Sequence, residues 1–231
     1  IHTGVLNLAS GSQSDFPRTA YPRESLEPML QIVNGMVYYR FFGTDSSDAW
    51  QMYTARTTEG QRGWHPVVRT ESKYGYRVEF GTQQVVGSHI YYVYPAKDSH
   101  NAWQLWTASS SIDGSHYRAQ QRTTTGGWCP VMQVVGSKLY MLFGNAPNLS
   151  AKLIFASMNT DGSDWKILRT IGTDNIAQPF TLLQVDKGIV YFTYSQKNRP
   201  DGPAYLWTAR MNVDGIHFHS MRRSYSGLMF Q

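Results

Sequence analysis

Five arginines recur along the chain at Arg18, Arg69, Arg122, Arg169 and Arg223, separated by 51, 53, 47 and 54 residues. Five glutamines keep step with them at Gln31, Gln84, Gln133, Gln184 and Gln231, separated by 53, 49, 51 and 47 residues. A ring of guanidinium groups could hold carboxylates or sulfates through paired N–H donors. Glutamines repeated on one strand could line a channel or hydrogen-bond from one repeat to the next. A plainer reading is that every repeat packs alike, the arginines pairing with the turn Asp. The aromatic supply, 15 Tyr, 10 Phe and 7 Trp, adds a third chemistry. An exposed indole can stack on the C–H face of a pyranose, although most rings are expected to fill the spaces between repeats. Trp64 and Trp128 each follow a glycine outside the repeated pattern, in segments read as loops, where binding residues accumulate. The candidate ligand-binding set is therefore Trp64, Trp128, Arg69, Arg122, Arg169, Arg223, Gln84, Gln133 and Gln184.

Catalytic chemistry is harder to find. Hydrolysis of a glycosidic bond wants two carboxyl groups facing one another. The acids flanking the glutamine segments are Glu27, Glu79, Asp174 and Asp186, and none belongs to a diagnostic motif. His65, His89, His100, His116, His217 and His219 show no metal-ligand spacing beyond the weak "HFH". Cys129, beside Trp128, reads as a packed thiol. Neither a G-x-S-x-G elbow nor a phosphate loop is present. No catalytic residue, metal or cofactor is thus nominated, and an enzyme is the less favoured expectation.

Composition bounds the rest. The chain has 231 residues, 41% hydrophobic and 16% charged, which suits a packed domain rather than a disordered one. Its net charge is +5, but the basic residues are scattered, so nucleic acid is not an expected partner. A single cysteine excludes an intrachain disulfide. No apolar run approaches the roughly 20 residues of a membrane span. A start at Ile1 and the sequon "NLS" at Asn148 favour a secreted, periplasmic or cell-surface protein.

The elements that must carry these residues form a repeat. "PVMQVVGSKLYMLFG" from Pro130 matches "PFTLLQVDKGIVYFTY" from Pro179, "EFGTQQVVGSHIYYVY" from Glu79 and "PMLQIVNGMVYYRFF" from Pro28. "AWQMYTAR", "AWQLWTAS", "AKLIFAS" and "AYLWTAR" follow in turn, each leading to a strand that ends in Arg-Thr or Arg-Ser. Each period holds four short strands: a with the Gln, b with tyrosines, c with Trp-Thr-Ala, and d with the Arg. Four antiparallel strands in a period of roughly 40 to 50 residues are the signature of a β-propeller blade. The fold class is all-β, a single propeller domain over residues 1–231. The chain opens with strands c and d, "GVLNLASGSQSDFPRTA", and closes with strand a, "GLMFQ". Five blades are expected, the closing one abbreviated.

Strands c and d are joined at Asp113-Gly114, Asp161-Gly162 and Asp214-Gly215. An Asp carboxylate accepts local N–H groups and Gly supplies positive φ, so these are expected to be structural hairpin turns. "TEGQRGW" in the first full repeat shows that the Asp is replaceable.

"PVMQVVGSKLYMLF" followed by "LIFASMNTDGSDWKILRT" resembles the repeats of TolB-like (PD40) β-propellers, and "MNTDGSDW", "MNVDGIHF" and "SIDGSHY" resemble the Asp-boxes of sialidases and related propellers. Near-equivalent blades would present several similar pockets, and multivalency raises the avidity of weak sugar sites. The expected function is a non-catalytic module that binds glycans through repeated inter-blade pockets. The alternative is a protein-interaction scaffold, a homo-oligomer or filament joined through an unpaired blade edge. The third reading is a sialidase-like glycoside hydrolase.

Overall fold

A computed structural model of the chain describes residues 2–6, 13–17, 25–46, 50–58, 67–69, 81–145, 151–176, 182–197 and 202–224. Every regular element among them is a β-strand, and contacts divide the chain into two units, Ile1–Glu79 and Phe80–Gln231. Among the described residues no helix is long and apolar enough to cross a membrane.

In the first unit β1 (His2–Leu6) pairs antiparallel with β2 (Gln13–Pro17). Strands β3 (Ser25–Val33), β4 (Met36–Thr44), β5 (Trp50–Thr58) and β6 (Val67–Val68) then form a four-stranded antiparallel sheet in chain order. Phe41 stacks on Tyr53 across β4 and β5, with 5.2 Å between centroids.

The second unit repeats that sheet three times. Its strands are β7 (Thr82–Val86), β8 (His89–Lys97), β9 (Trp103–Ser111) and β10 (Arg118–Gln121); then β11 (Trp128–Val135), β12 (Lys138–Gly144), β13 (Ala151–Asn159) and β14 (Lys166–Ile176). The last four are β15 (Leu183–Asp186), β16 (Ile189–Lys197), β17 (Ala204–Asn212) and β18 (His219–Arg222). One bridge, Ile176 to Gln196, links the last two sheets. Each sheet runs a, b, c, d as the repeat predicts, and we call the four sheets blades one to four. The described residues form four four-stranded blades and, apart from them, the two-stranded β1–β2 sheet. The expected final strand a, residues 227–231, lies outside the described residues.

Turn chemistry explains the a–b hairpins. Asn34-Gly35 and Lys187-Gly188 have positive φ at both central residues, as a type I′ turn demands. Gly87 and Gly136 have positive φ ahead of a serine, the type II′ arrangement. Both turn types match the right-handed twist of the flanking strands.

In the second unit the long b and c strands of successive blades pack against one another. Tyr91, Val93 and Leu105 of blade two meet Val134, Leu139, Met141, Phe143, Ala156 and Met158 of blade three. Blade three in turn offers Leu142, Leu153, Phe155 and Ile171 to Val185, Val190, Phe192 and Tyr194 of blade four.

The strand-a glutamines tie these layers together. Gln84 Oε1 accepts the Val134 N–H at 2.6 Å, and Gln133 Oε1 accepts the Val185 N–H in the same way one blade later. The hydrogen bond between repeats, one of the two roles expected for the series, is the one these two side chains make. Replacing Gln133→Leu keeps the volume and strands the buried Val185 amide. We expect a loss of about 1–3 kcal/mol, read as a lower urea midpoint at unchanged slope.

Candidate functional site

Each blade has two ends, and they differ in kind. At one end the c–d turns bond to the a–b hairpins: Ile112 N–H to Ser88 O, Thr160 N–H to Ser137 O and Val213 N–H to Gly188 O, at 2.8, 2.9 and 3.1 Å. The Asp-Gly residues here are occupied by the turn itself. Asp113 Oδ1 takes the Ser115 amide and hydroxyl, Asp161 Oδ1 those of Ser163, and Asp214 Oδ1 the Ile216 amide. Hydrogen bonds from the Ser163 hydroxyl and amide hold the Asp161 carboxyl below its ordinary range. These stretches are fold devices, as the sequence suggests.

The arginines serve the same framework. Arg69, Arg122 and Arg223 each donate Nε–H to a strand-c threonine fifteen residues earlier, Thr54, Thr107 and Thr208, at 2.6, 2.7 and 2.8 Å. Blade three has Phe155 at the threonine position, and Arg169 Nε is left without an acceptor. Arg169 instead donates Nη1–H to Gly215 O in the next c–d turn at 2.9 Å and lies 5.1 Å over Phe218. Arg122 lies 5.8 Å over Trp165 of blade three, and burial lowers its pKa. The contacts of Arg122 and Arg169 with the next blade run through backbone and ring and not, as expected, through the turn Asp carboxylate.

At the opposite end lie the b–c and d–a connections. Asp98 accepts N–H groups from His100, Ala102 and the Gln104 side chain at 2.8, 3.1 and 2.9 Å. The Ala102 amide, then the Gln104 amide, hold its carboxyl below the usual range. Gln51 and Asp45 repeat the contact in blade one at 3.0 Å. The hydroxyls after Arg122 and Arg223 pin the same end, with Leu105 N–H on Thr123 Oγ1 and Leu206 N–H on Ser224 Oγ, at 2.9 and 3.0 Å.

Trp128 opens strand β11 rather than standing in a loop. It is half-buried, edge-on to Trp103 with 4.9 Å between centroids, and Lys97 lies 5.5 Å from the Trp103 ring. Trp64 lies outside the described residues, as do Arg18, Gln231, Glu79 and His65. Gln184 is exposed on β15. In the second unit the arginine, glutamine and tryptophan candidates are thus distributed over successive blades and not gathered at one point.

What the spacing could not show is a bulge on strand a. The β3–β4 register slips between Leu26 and Met29, and the β11–β12 register between Trp128 and Val131. Glu27-Pro28 and Cys129-Pro130 fill these bulges, each four residues before its strand-a glutamine. Cys129 is buried at φ 45°. Bulges bend a strand, re-aim side chains and gather next to active sites. Glu27 therefore occupies a bulge at the b–c end of blade one. Asp174 lies near the end of β14, at the b–c end of blade three. Asp186 pairs with Ile189 at the a–b hairpin, the wrong end to join a loop-borne site. Among the described residues no three His, Cys, Asp or Glu side chains gather as a metal would require.

No family model matches the chain, and no curated protein matches it. Solved structures do. A thermostable family-43 glycoside hydrolase matches with TM-score 0.54 and 14% identity, over 90% of this chain and 78% of that one. A family 117 glycoside hydrolase of the marine bacterium Zobellia galactanivorans matches with TM-score 0.55 and 15% identity, over 87% and 69%. The endosialidase of phage phi92 matches with TM-score 0.62 and 11% identity, over 95% of this chain and 41% of that one. The fold is a β-propeller.

These likenesses overturn the expectation of a non-catalytic, multivalent glycan binder, since the structures matched are named as hydrolases and sialidases. Among the described residues the pockets do not recur in every blade, although blade four carries one on Thr208, Ala209 and Arg223, at the positions of Thr107, Ala108 and Arg122 of blade two. Thr107 and Gln120 line an open crevice between blades two and three, where Phe155 and Leu168 fill the corresponding space between blades three and four.

Backbone crowding fixes the d–a connection of blade two. A Cβ at Gly127 would stand 2.2 Å from the Leu105 amide nitrogen. Gly127→Ala is expected to cost about 1–3 kcal/mol by overpacking, seen as a lower thermal midpoint, whereas Gly136→Ala meets no neighbour and is limited to its positive-φ strain.

Proposed function

We propose that this propeller is a glycoside hydrolase whose chemistry lies at the b–c and d–a end of its blades, with Glu27 as one of the two carboxyls. The observation that carries the reading is the bulge at Leu26–Met29, which sets an acid at the loop end of an inner strand. The shape likeness to glycoside hydrolases and sialidases supports the same reading. Hydrolysis of a glycosidic bond needs one carboxyl to protonate the leaving oxygen. The other attacks the anomeric carbon, or activates water to do so, and their separation of about 5 Å or about 6.5–9.5 Å selects retention or inversion. The c–d turns support a kinship with TolB-like and Asp-box propellers, and the arginine spacing supports a fifth blade with β1 and β2 as its outer strands. The partner is then a glycan substrate, met outside the cell or at its surface.

A panel of chromogenic aryl glycosides tests this. At least one should be cleaved by the wild-type chain. Glu27→Gln should lower kcat by about 10²–10⁴-fold with an unchanged thermal midpoint, while Asp186→Asn at the far end should keep full activity. No cleavage of any glycoside, or equal rates from wild type and Glu27→Gln, would contradict it.

A further inference from the structure

The repeat offers its own control for charge. In blade three Asp164 stands between two lysines, its Oδ2 2.9 Å from Lys138 Nζ and its Oδ1 2.7 Å from Lys166 Nζ. The two hydrogen-bonded cations hold the Asp164 carboxyl below its ordinary range. Lys138 follows the a–b turn, Asp164 sits three residues after the turn Asp161, and Lys166 begins strand d. The same positions of blade two are His89, His116 and Arg118. Asp164 and His116 even share the left-handed backbone, at φ 55° and 54°. Where blade three has a cation, an acid and a cation, blade two has three groups able to carry positive charge and no acid among them.

The backbone register places the three on one face. His89 is opposite Ser111 on β9, and Arg118 is opposite Ser109 two residues along, so cross-strand pairing gives them a common side. His116 is held against the same strand, its Nδ1 2.9 Å from Ser115 Oγ and 3.3 Å from Ser111 Oγ. That face opens into a crevice of about 620 Å³ between blades two and three, lined by His89, His116, Arg118 and Arg122. The crevice is open because Thr107 and Gln120 stand where Phe155 and Leu168 fill the next one. The one acid lining it, Asp161, has its Oδ1 committed to Ser163. Among the described residues Arg118 has no carboxylate partner within ion-pair distance.

We infer that this crevice is an oxyanion site, in which a carboxylate, sulfate or phosphate takes the position that Asp164 fills in blade three. The cleft volume is that of a small-ligand site. Guanidinium and imidazole N–H donors converging on one anion make the shorter, stronger class of hydrogen bond. The site lies at the c–d turn end of blades two and three, and stands whether or not the chain cleaves glycosides.

The test is calorimetric titration of the chain with inorganic sulfate, inorganic phosphate and free glucuronate as separate titrants. Saturable binding of at least one, with one site per chain, is expected, and which titrant binds identifies the source of the oxyanion. His116→Asp rebuilds the internal ion triad of blade three on a backbone that already accepts Asp. It should weaken binding about tenfold or more with an unchanged unfolding midpoint. Arg118→Gln should weaken it similarly without adding a charge. Absence of saturable binding by all three titrants, or unchanged affinity in both variants, would overturn the site.

Discussion

In the second unit blades two and three each supply groups that complete the next. The strand-a glutamine gives an acceptor to an inner-strand amide one blade on, and the strand-d arginine reaches over the following c–d turn. Strands buried on both faces leave no water to satisfy inner-strand amides, and an orphaned buried amide costs more than a bond usually returns. A side-chain acceptor at a fixed step along the chain answers that need. The same step fixes the spacing of the layers, so aromatic residues of b and c can fill them. Because this coupling uses the polar residues that recur most regularly, regularity here records packing. Chemistry has to be sought where the repeat breaks.

The breaks fall into two places. At the loop end, hydrogen bonds from the Gln104 side chain to Asp98 and from the Leu105 amide to Thr123 fix the connections of blade two, and the close approach of Gly127 to Leu105 leaves them no slack. A rigid rim of this kind can hold a reacting group within the tolerance catalysis needs. At the turn end the Asp carboxylates are spent on their own backbones. What varies there is the residue after the turn serine, Asp164 in one blade and His116 in another. The two ends therefore offer different chemistry on one scaffold.

Much of this was legible in the amino-acid sequence. The alternating tyrosine strands, the Gly-containing hairpins and the Asp-Gly turns appear where their patterns require, because local backbone chemistry decides them. The inter-blade role of the glutamines was one of two readings, and only coordinates choose between a channel lining and a neighbour's amide. Trp128 misled because a glycine precedes it, yet its packing against Trp103 draws it into β11. The pockets also vary from blade to blade for a related reason. Repeats alike in consensus differ at single positions, and Phe155 for threonine with Leu168 for Gln120 closes one crevice while its counterpart stays open. The bulge at Glu27 was not legible, since a register slip of this kind is a property of two strands and not of either alone.

The central claim is that the propeller cleaves glycosidic bonds rather than merely holding sugars. The most direct measurement is proton NMR of natural oligosaccharides incubated with the chain, followed from the first minutes at the anomeric signals. The account predicts new reducing-end resonances from at least one oligosaccharide, their initial α or β form reporting the spacing of the two carboxyls. Oligosaccharides that bind saturably and remain uncleaved throughout would contradict it.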